Sequence, residues 1–364
     1  MRTLPRRLAL LPAALLLIGL GAAPAAAEER PVDGPGTYIA SGAGPLPTTL
    51  TGTSWLVADL DSGEILAAKD AHRRLLPAST IKVLTALTLI PRIERTSKVI
   101  PTFDDINIEG SRVGLLEDVR YPAYQVFRSM LMTSGNDAAN ALASTAGGEA
   151  VTAQAMNEEA ARVGAVNTFA VNPSGLDAPG QLTTAYDLAL ISRAAMELPD
   201  FRGYVATKRS TILGRMGKPL RITTHNKLVF NYDGAIGIKN GYTAKAGATF
   251  VGAATRNGRT LLVTVMKAKP RVWPEVAALL DWGFAATAAG AEPVGRLADP
   301  VGGPVVSAAE TGAIPIRPAA VRTGESEGFS VLPLSVVVLT AGGTALAFVR
   351  RRRTVVLRRS DRYF

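Results

Sequence analysis

The 364-residue chain contains no cysteine. Disulfides, thiol catalysis and cysteine-based metal sites are thereby excluded. Histidine is nearly absent as well: His72 and His225 are the two present. They are too few for a histidine-rich metal site, neither lies in a recognisable catalytic-triad context, and both are read as structural. No metal and no cofactor is called for. The formal charge of +10 is unevenly spread. The first 27 residues hold three arginines and no acid, and the tail after Val349 holds seven arginines against Asp361, which leaves a net +1 for residues 28–349. Binding a phosphate backbone requires concentrated positive charge, so the domain has no footprint for nucleic acid.

Long uncharged runs are confined to the two ends. Arg2, Arg6 and Arg7 precede the apolar run Leu8 to Leu20 and the small residues Ala25-Ala26-Ala27. This is the pattern of a secretory signal peptide over residues 1–27, with an apolar core too short to span a bilayer. Residues 329–349 form a 21-residue stretch without charge, followed by Arg350 to Arg353. That length crosses the hydrocarbon core, and the arginines of the tail 350–364 belong on the cytoplasmic side. The expectation is an exported domain held at the extracytoplasmic face of the membrane by one C-terminal helix. Residues 291–328, rich in Pro, Gly, Ala and Ser, are read as its linker, and residues 28–49, rich in Gly and Pro, as an irregular arm.

Between these ends the pattern is that of one domain, residues 50–290. Two apolar runs, Trp55 to Leu60 and Glu64 to Ala68, flank Asp61-Ser62-Gly63 and predict a β-hairpin. A helix carrying Ser79 follows. Helical patterning returns at Ala123 to Met132, Asp137 to Thr145, Val151 to Val163 and Ala185 to Met196, the last with Thr183 or Thr184 as N-cap. Strands are predicted at Ser210 to Leu213, Ala248 to Ala254 and Thr260 to Met266, and a closing helix at Trp273 to Ala288. Strands at both ends with helices between them predict an α+β fold: an antiparallel sheet built from N- and C-terminal parts, flanked by helices, plus a helical subdomain.

Three short stretches carry candidate chemistry. In Pro77-Ala78-Ser79-Thr80-Ile81-Lys82 a potential nucleophile and a potential base lie at i and i+3, on one face of a helix. The apolar continuation Val83 to Ile90 marks that helix as buried, and burial lowers a lysine's pKa until its amine can accept a hydroxyl proton. Ser-x-x-Lys alone arises by chance roughly once in a few hundred residues. Thr133-Ser134-Gly135-Asn136-Asp137 lies between two helices, where function is common but where the same residues also make an ordinary helix stop and N-cap. Gly237-Ile238-Lys239-Asn240-Gly241-Tyr242-Thr243 precedes the final hairpin and can equally be a turn centred on Asn-Gly.

Taken together, Ser-x-x-Lys, Ser-x-Asn and Lys-x-Gly in this order resemble the motif set of the penicillin-binding proteins and serine β-lactamases. Asn172-Pro173-Ser174-Gly175-Leu176-Asp177, Thr184-Ala185-Tyr186-Asp187-Leu188, Gly241-Tyr242-Thr243 and Asp281-Trp282-Gly283-Phe284 are similar to the D-alanyl-D-alanine carboxypeptidase branch. The resemblance covers about residues 50–288 and implies the β-lactamase/DD-peptidase-like fold. It implies that Ser79 attacks the bond between the two terminal D-alanines of a peptidoglycan stem peptide while Lys82, kept neutral by burial and by Lys239, takes its proton. Ser134 would relay a proton to the departing D-alanine, Asn136 would hold the substrate amide, and Lys239, Asn240 and Gly241 would line the terminal-carboxylate site. The backbone N–H groups of Ser79 and Tyr242 would form the oxyanion hole, and β-lactams would acylate the same serine.

One residue departs from the family pattern. Asn240 stands where threonine is usual, which makes Thr243, and Lys267 or Arg271 after the last strand, candidates to complete the carboxylate site. A serine β-lactamase shares the fold, but Ser-Gly-Asn in place of Ser-Asp-Asn, and no Glu-x-x-Leu-Asn stretch, argue against it. A β-lactam sensor is opposed by a 15-residue tail with no domain to receive a signal. A transpeptidase differs only in which nucleophile resolves the acyl-enzyme.

Overall fold

Residues 32–299 are described by the structure, a computed structural model. The leader over 1–27, most of the 291–328 linker, the 329–349 span and the 350–364 tail lie outside them. Among the described residues no helix is long and apolar enough to cross a membrane.

Thr37–Ile39 forms β1, and the predicted hairpin is Ser54–Asp59 (β2) and Glu64–Lys69 (β3). Its turn is fixed by Asp59, whose Oδ1 accepts from the N–H groups of Asp61 at 3.0 Å and Ser62 at 2.8 Å, as an Asx turn does. A 3-10 turn, Ala78–Ile81, runs into Lys82–Leu89 (α1), every residue of which is buried. The helical subdomain follows: Lys98–Val99 (β4), Phe103–Ile106 (α2), Tyr121–Pro122 (β5), Ala123–Thr133 (α3), Asn136–Thr145 (α4) and Glu149–Arg162 (α5). Ala185–Met196 (α6) begins at the expected N-cap, where Thr184 accepts from the Asp187 N–H at 2.9 Å, and Pro199–Ala206 (α7) starts on proline. The chain continues through Arg209–Leu213 (β6), Pro219–Thr223 (β7), Leu228–Asn231 (α8), Ala235–Thr243 (β8), Gly247–Arg256 (β9), Arg259–Ala268 (β10), Trp273–Ala288 (α9) and Gly295–Arg296 (β11).

The main sheet has the order β1-β3-β2-β10-β9-β8, antiparallel throughout, with β11 also paired to β3. Its two sequence-distant parts join where β2 meets β10, Val57 opposite Val263. Successive strand residues point to opposite faces. On β10, Leu261, Val263 and Val265 pack with Trp55, Val276, Leu279 and Trp282, whereas Leu262 and Met266 pack with α1 and α6 residues such as Leu84 and Ile191. Burial on both faces is why these strands read as continuous apolar runs. The α9 layer lies very close to the sheet: a Cβ on Gly252 would stand 2.5 Å from Val276 Cγ1, and one on Gly283 2.8 Å from Leu261 Cδ1.

The structure corrects four readings. The arm of residues 28–49 is not wholly irregular: Thr37–Ile39 pairs with Ala67–Lys69, and Gly44 O accepts from Trp282 Nε1 at 2.9 Å. With β11 at 295–296, the sheet outruns the 50–290 limits on both sides. The strand expected at Ser210 to Leu213 does not join the sheet; it pairs with β7 in a separate hairpin, because only Ile212 and Ile222 point inward to be buried. Residues 237–243, readable as a turn, are part of β8.

Candidate active site

Ser79 is partly exposed, on a 3-10 turn rather than a regular α-helix, and Lys82 is the first residue of α1. The preceding Ala78 has φ +47°, a left-handed conformation that costs an L-residue about 1–2 kcal/mol. Contacts on both sides hold it there. Pro77 O accepts from Thr80 Oγ1 at 2.6 Å and from Thr249 Oγ1 of β9 at 2.9 Å. Gly175, at φ +84°, lies so close that a Cβ would be 2.1 Å from Ala78 O. On the other flank a Cβ on Gly241 would be 2.6 Å from Ser79 N. Glycine is required at both positions, and the serine turn is wedged between the 172–177 loop and β8.

The Lys82 amine is fully buried. It reaches three oxygens: Ser79 Oγ at 3.1 Å, Asn136 Oδ1 at 2.7 Å and the Ser174 carbonyl. Burial, and then the neighbouring Lys239 ammonium, push its pKa well below the ordinary lysine range, while the Asp137 carboxylate pulls the other way. A neutral amine has two N–H donors and one lone pair. Asn136 Oδ1 and Ser174 O can only accept, so they take both donors, and the lone pair is left for the Ser79 hydroxyl, which can donate. The Ser174 carbonyl is set by Asn172, whose Oδ1 accepts from Gly175 N at 2.8 Å and from Ser174 Oγ at 3.0 Å.

Ser134, 2% exposed, closes α3 in a left-handed conformation (φ +59°). The segment is thus a helix stop as well as a candidate site. Asn136 opens α4; its Nδ2 donates to Glu109 O at 2.7 Å, and each end of the carboxamide retains capacity for one further bond. Asp137 accepts from the N–H groups of Val113, Gly114 and Leu115 at 2.9, 2.7 and 3.1 Å and so pins the 113–115 loop.

Lys239 of β8 is fully buried and donates to Asn240 O at 2.7 Å. Burial lowers its pKa to about 7. Asn240, Gly241 and Tyr242 line a cavity with His225 and Arg271; Lys267 is not among its lining residues. Thr243 is committed elsewhere, donating to Asp177 Oδ1 at 2.8 Å and accepting from Ala246 N at 2.9 Å. His225, read from sequence as structural, stands on this cavity wall; His72 packs against Tyr186 with ring centroids 4.4 Å apart and the planes tilted by 35°. The carbonyls of Ser174 and Glu109 carry no side-chain signature and escaped the sequence reading, although the turn-rich 172–177 string marked one of their loops.

A serine hydroxyl 3.1 Å from a buried lysine amine, with glycine backbone pressed against the serine amide, is the arrangement that an active-serine enzyme of the lysine-base type would use. Residues 41–270 match the D-alanyl-D-alanine carboxypeptidase family, peptidase S11. The chain is 44% identical over 239 residues to D-alanyl-D-alanine carboxypeptidase DacB2 of Mycobacterium tuberculosis, covering 64% of this chain and 82% of that one. It is 32% identical to D-alanyl-D-alanine carboxypeptidase DacD of Escherichia coli, covering 66% of this chain and 64% of the relative, just under two thirds. The crystal structure of a D-alanyl-D-alanine carboxypeptidase from M. tuberculosis H37Rv aligns with a TM-score of 0.66 at 42% identity, over 68% of this chain and 96% of that one. The Streptomyces K15 DD-transpeptidase aligns with a TM-score of 0.63 at 26% identity, over 66% and 100%. The chain belongs to the D-alanyl-D-alanine carboxypeptidase family.

Proposed function

We propose that this protein removes the terminal D-alanine from peptidoglycan stem peptides as a serine-type D-Ala-D-Ala carboxypeptidase, with Ser79 as nucleophile and Lys82 as its base. The observation that carries the reading is the Lys82 amine, depressed in pKa and 3.1 Å from Ser79 Oγ with its other two positions filled by acceptors. Ser79 Oγ attacks the carbonyl between the two D-alanines as Lys82 takes the proton, and negative charge on the carbonyl oxygen is met by the N–H groups of Ser79 and Tyr242. Ser134 passes a proton to the departing D-alanine nitrogen. Asn136 uses its spare donor and acceptor on the substrate amide. Lys239, Asn240 and Gly241 receive the terminal carboxylate with Arg271 rather than Thr243, whose hydroxyl is held by Asp177. Water then hydrolyses the acyl-enzyme. A β-lactam, with a strained amide in place of the scissile bond, acylates Ser79 and leaves slowly.

The leader over 1–27 and the uncharged 329–349 span with its trailing arginines support export and a single C-terminal anchor, joined to the domain by the 291–328 linker. Carbonate-resistant membrane retention of the full chain, lost on deleting residues 329–364, is the expected result. Activity is tested by D-alanine release from a peptide ending in D-Ala-D-Ala. The parent protein releases it and Ser79→Ala does not; an amine acceptor added to the assay that captures most of the acyl group would make the protein a transpeptidase instead.

A further inference from the structure

The net +1 of residues 28–349 hides a local excess. From Phe201 to Tyr232 the chain carries seven Lys and Arg residues and no Asp or Glu. Nearly half of this stretch, residues 209–223, is the β6–β7 hairpin, anchored through Ile212 and Ile222 with its charged residues left in solvent. Arg221 of β7 and Lys227 just beyond it face Arg112 of the 110–113 loop across a groove of about 590 Å³ whose lining contains no acidic residue. Among the described residues none of these three cations is in an ion pair.

The groove opens onto the candidate active site. His225 and Lys227 line both it and the cavity of Asn240 and Gly241. Its opposite wall is tied to Asn136: Ser111 O accepts from the Asn136 N–H at 2.7 Å, and a Cβ on Gly110 would be 2.8 Å from Asn136 Nδ2. A peptide held at Asn136 and Asn240 therefore has an adjoining cationic groove within reach. Like charges on facing walls with no counter-ion repel one another, and an anion between them relieves that repulsion.

We propose that this groove is a subsite for a carboxylate on the substrate peptide outside its terminal D-Ala-D-Ala, making the enzyme selective for acidic stems over their carboxamide counterparts. The proposal rests on the carboxypeptidase reading. Because the cations are exposed, each contact is modest and screened by salt, and because binding precedes chemistry the selectivity lies in KM.

The test uses two synthetic peptides ending in D-Ala-D-Ala that differ only in Glu or Gln side chains upstream, with kcat and KM measured at low and high salt. The expected result is about three- to tenfold higher kcat/KM for the Glu peptide at low salt, carried by KM and lost at high salt. Arg112→Gln with Arg221→Gln abolishes the preference while kcat on the Gln peptide and labelling by fluorescent penicillin stay unchanged; Arg221→Glu moves it toward the Gln peptide. Equal KM values for the two peptides with the parent enzyme, or a preference that survives both Arg→Gln changes, would overturn the subsite alone. No D-alanine release from either peptide would overturn the carboxypeptidase reading and the subsite with it.

Discussion

Lys82 and Lys239 are the same side chain buried to the same extent, yet their surroundings assign them different chemistry. Lys82 is met by three oxygens from three separate segments, two of them obligate acceptors, and Asp137 lies near enough to be felt. Lys239 donates to the carbonyl of its own neighbour, Asn240, and burial alone brings its pKa to about 7. Acceptors that fill two of three positions leave the third of the first amine for Ser79 Oγ, as the proposed base role requires. The second is poised at the edge of losing its charge, so an anionic substrate group that favours the ammonium form will hold the proton on it.

Exchanging the two amines' properties separates these roles. Lys82→Arg places a guanidinium that cannot deprotonate beside Ser79, and acylation by labelled penicillin should fall by about 10²–10⁴; a smaller loss would remove Lys82 as the base. At Lys239 the same change should be far milder and should alter the pH profile instead. In the parent, kcat/KM should decline above pH about 7 as Lys239 loses its charge, and Lys239→Arg should remove that decline. Stability carries the matching sign: the folded amine gives up its proton near pH 7 and the unfolded one near 10.5, so the folded chain holds fewer protons between them. Urea denaturation should therefore show stability rising with pH from about 7 to 10.5, Lys239 contributing up to about 1.4 kcal/mol per unit, and Lys239→Met should reduce the slope to the part that Lys82 supplies with the same sign.

Gly241→Ala tests the strand that carries Lys239. Its Cβ would stand 2.6 Å from Ser79 N, and overpacking of this kind costs about 1–3 kcal/mol, to be read as a lower melting temperature together with slower acylation. Asn240→Thr, which restores the family's usual residue, should have the smallest effect, a change of about threefold in KM for a D-Ala-D-Ala peptide, since it exchanges one hydrogen-bond donor for another.

The Ser79–Lys82 pair was legible because the candidate nucleophile and candidate base are three residues apart and the apolar run after them signals burial. Ser134 and Asn136 were legible through the Ser-x-Asn spacing. The β8 segment was harder to place, since Gly237, Asn240 and Gly241 are poor strand formers and local propensity favours a turn; pairing with β9 along its length overrides it. Thr243 looked available as a carboxylate ligand because nothing in the sequence couples it to Asp177, 66 positions away. The acceptors Ser174 O and Glu109 O are backbone atoms, equivalent in any residue, and only the fold decides which of them face a lysine. The cationic groove was lost in an average: one near-neutral sum over the domain concealed a stretch with charge of one sign.

The acceptors around Lys82 come from positions 54 and 92 residues farther along the chain. Until those segments arrive, Lys82 is an ordinary solvated ammonium and Ser79 an ordinary alcohol. On the proposed reading, reactivity needs contacts that only the assembled fold supplies, so labelling of refolding protein by a fluorescent penicillin should lag behind formation of the helix that carries the amine.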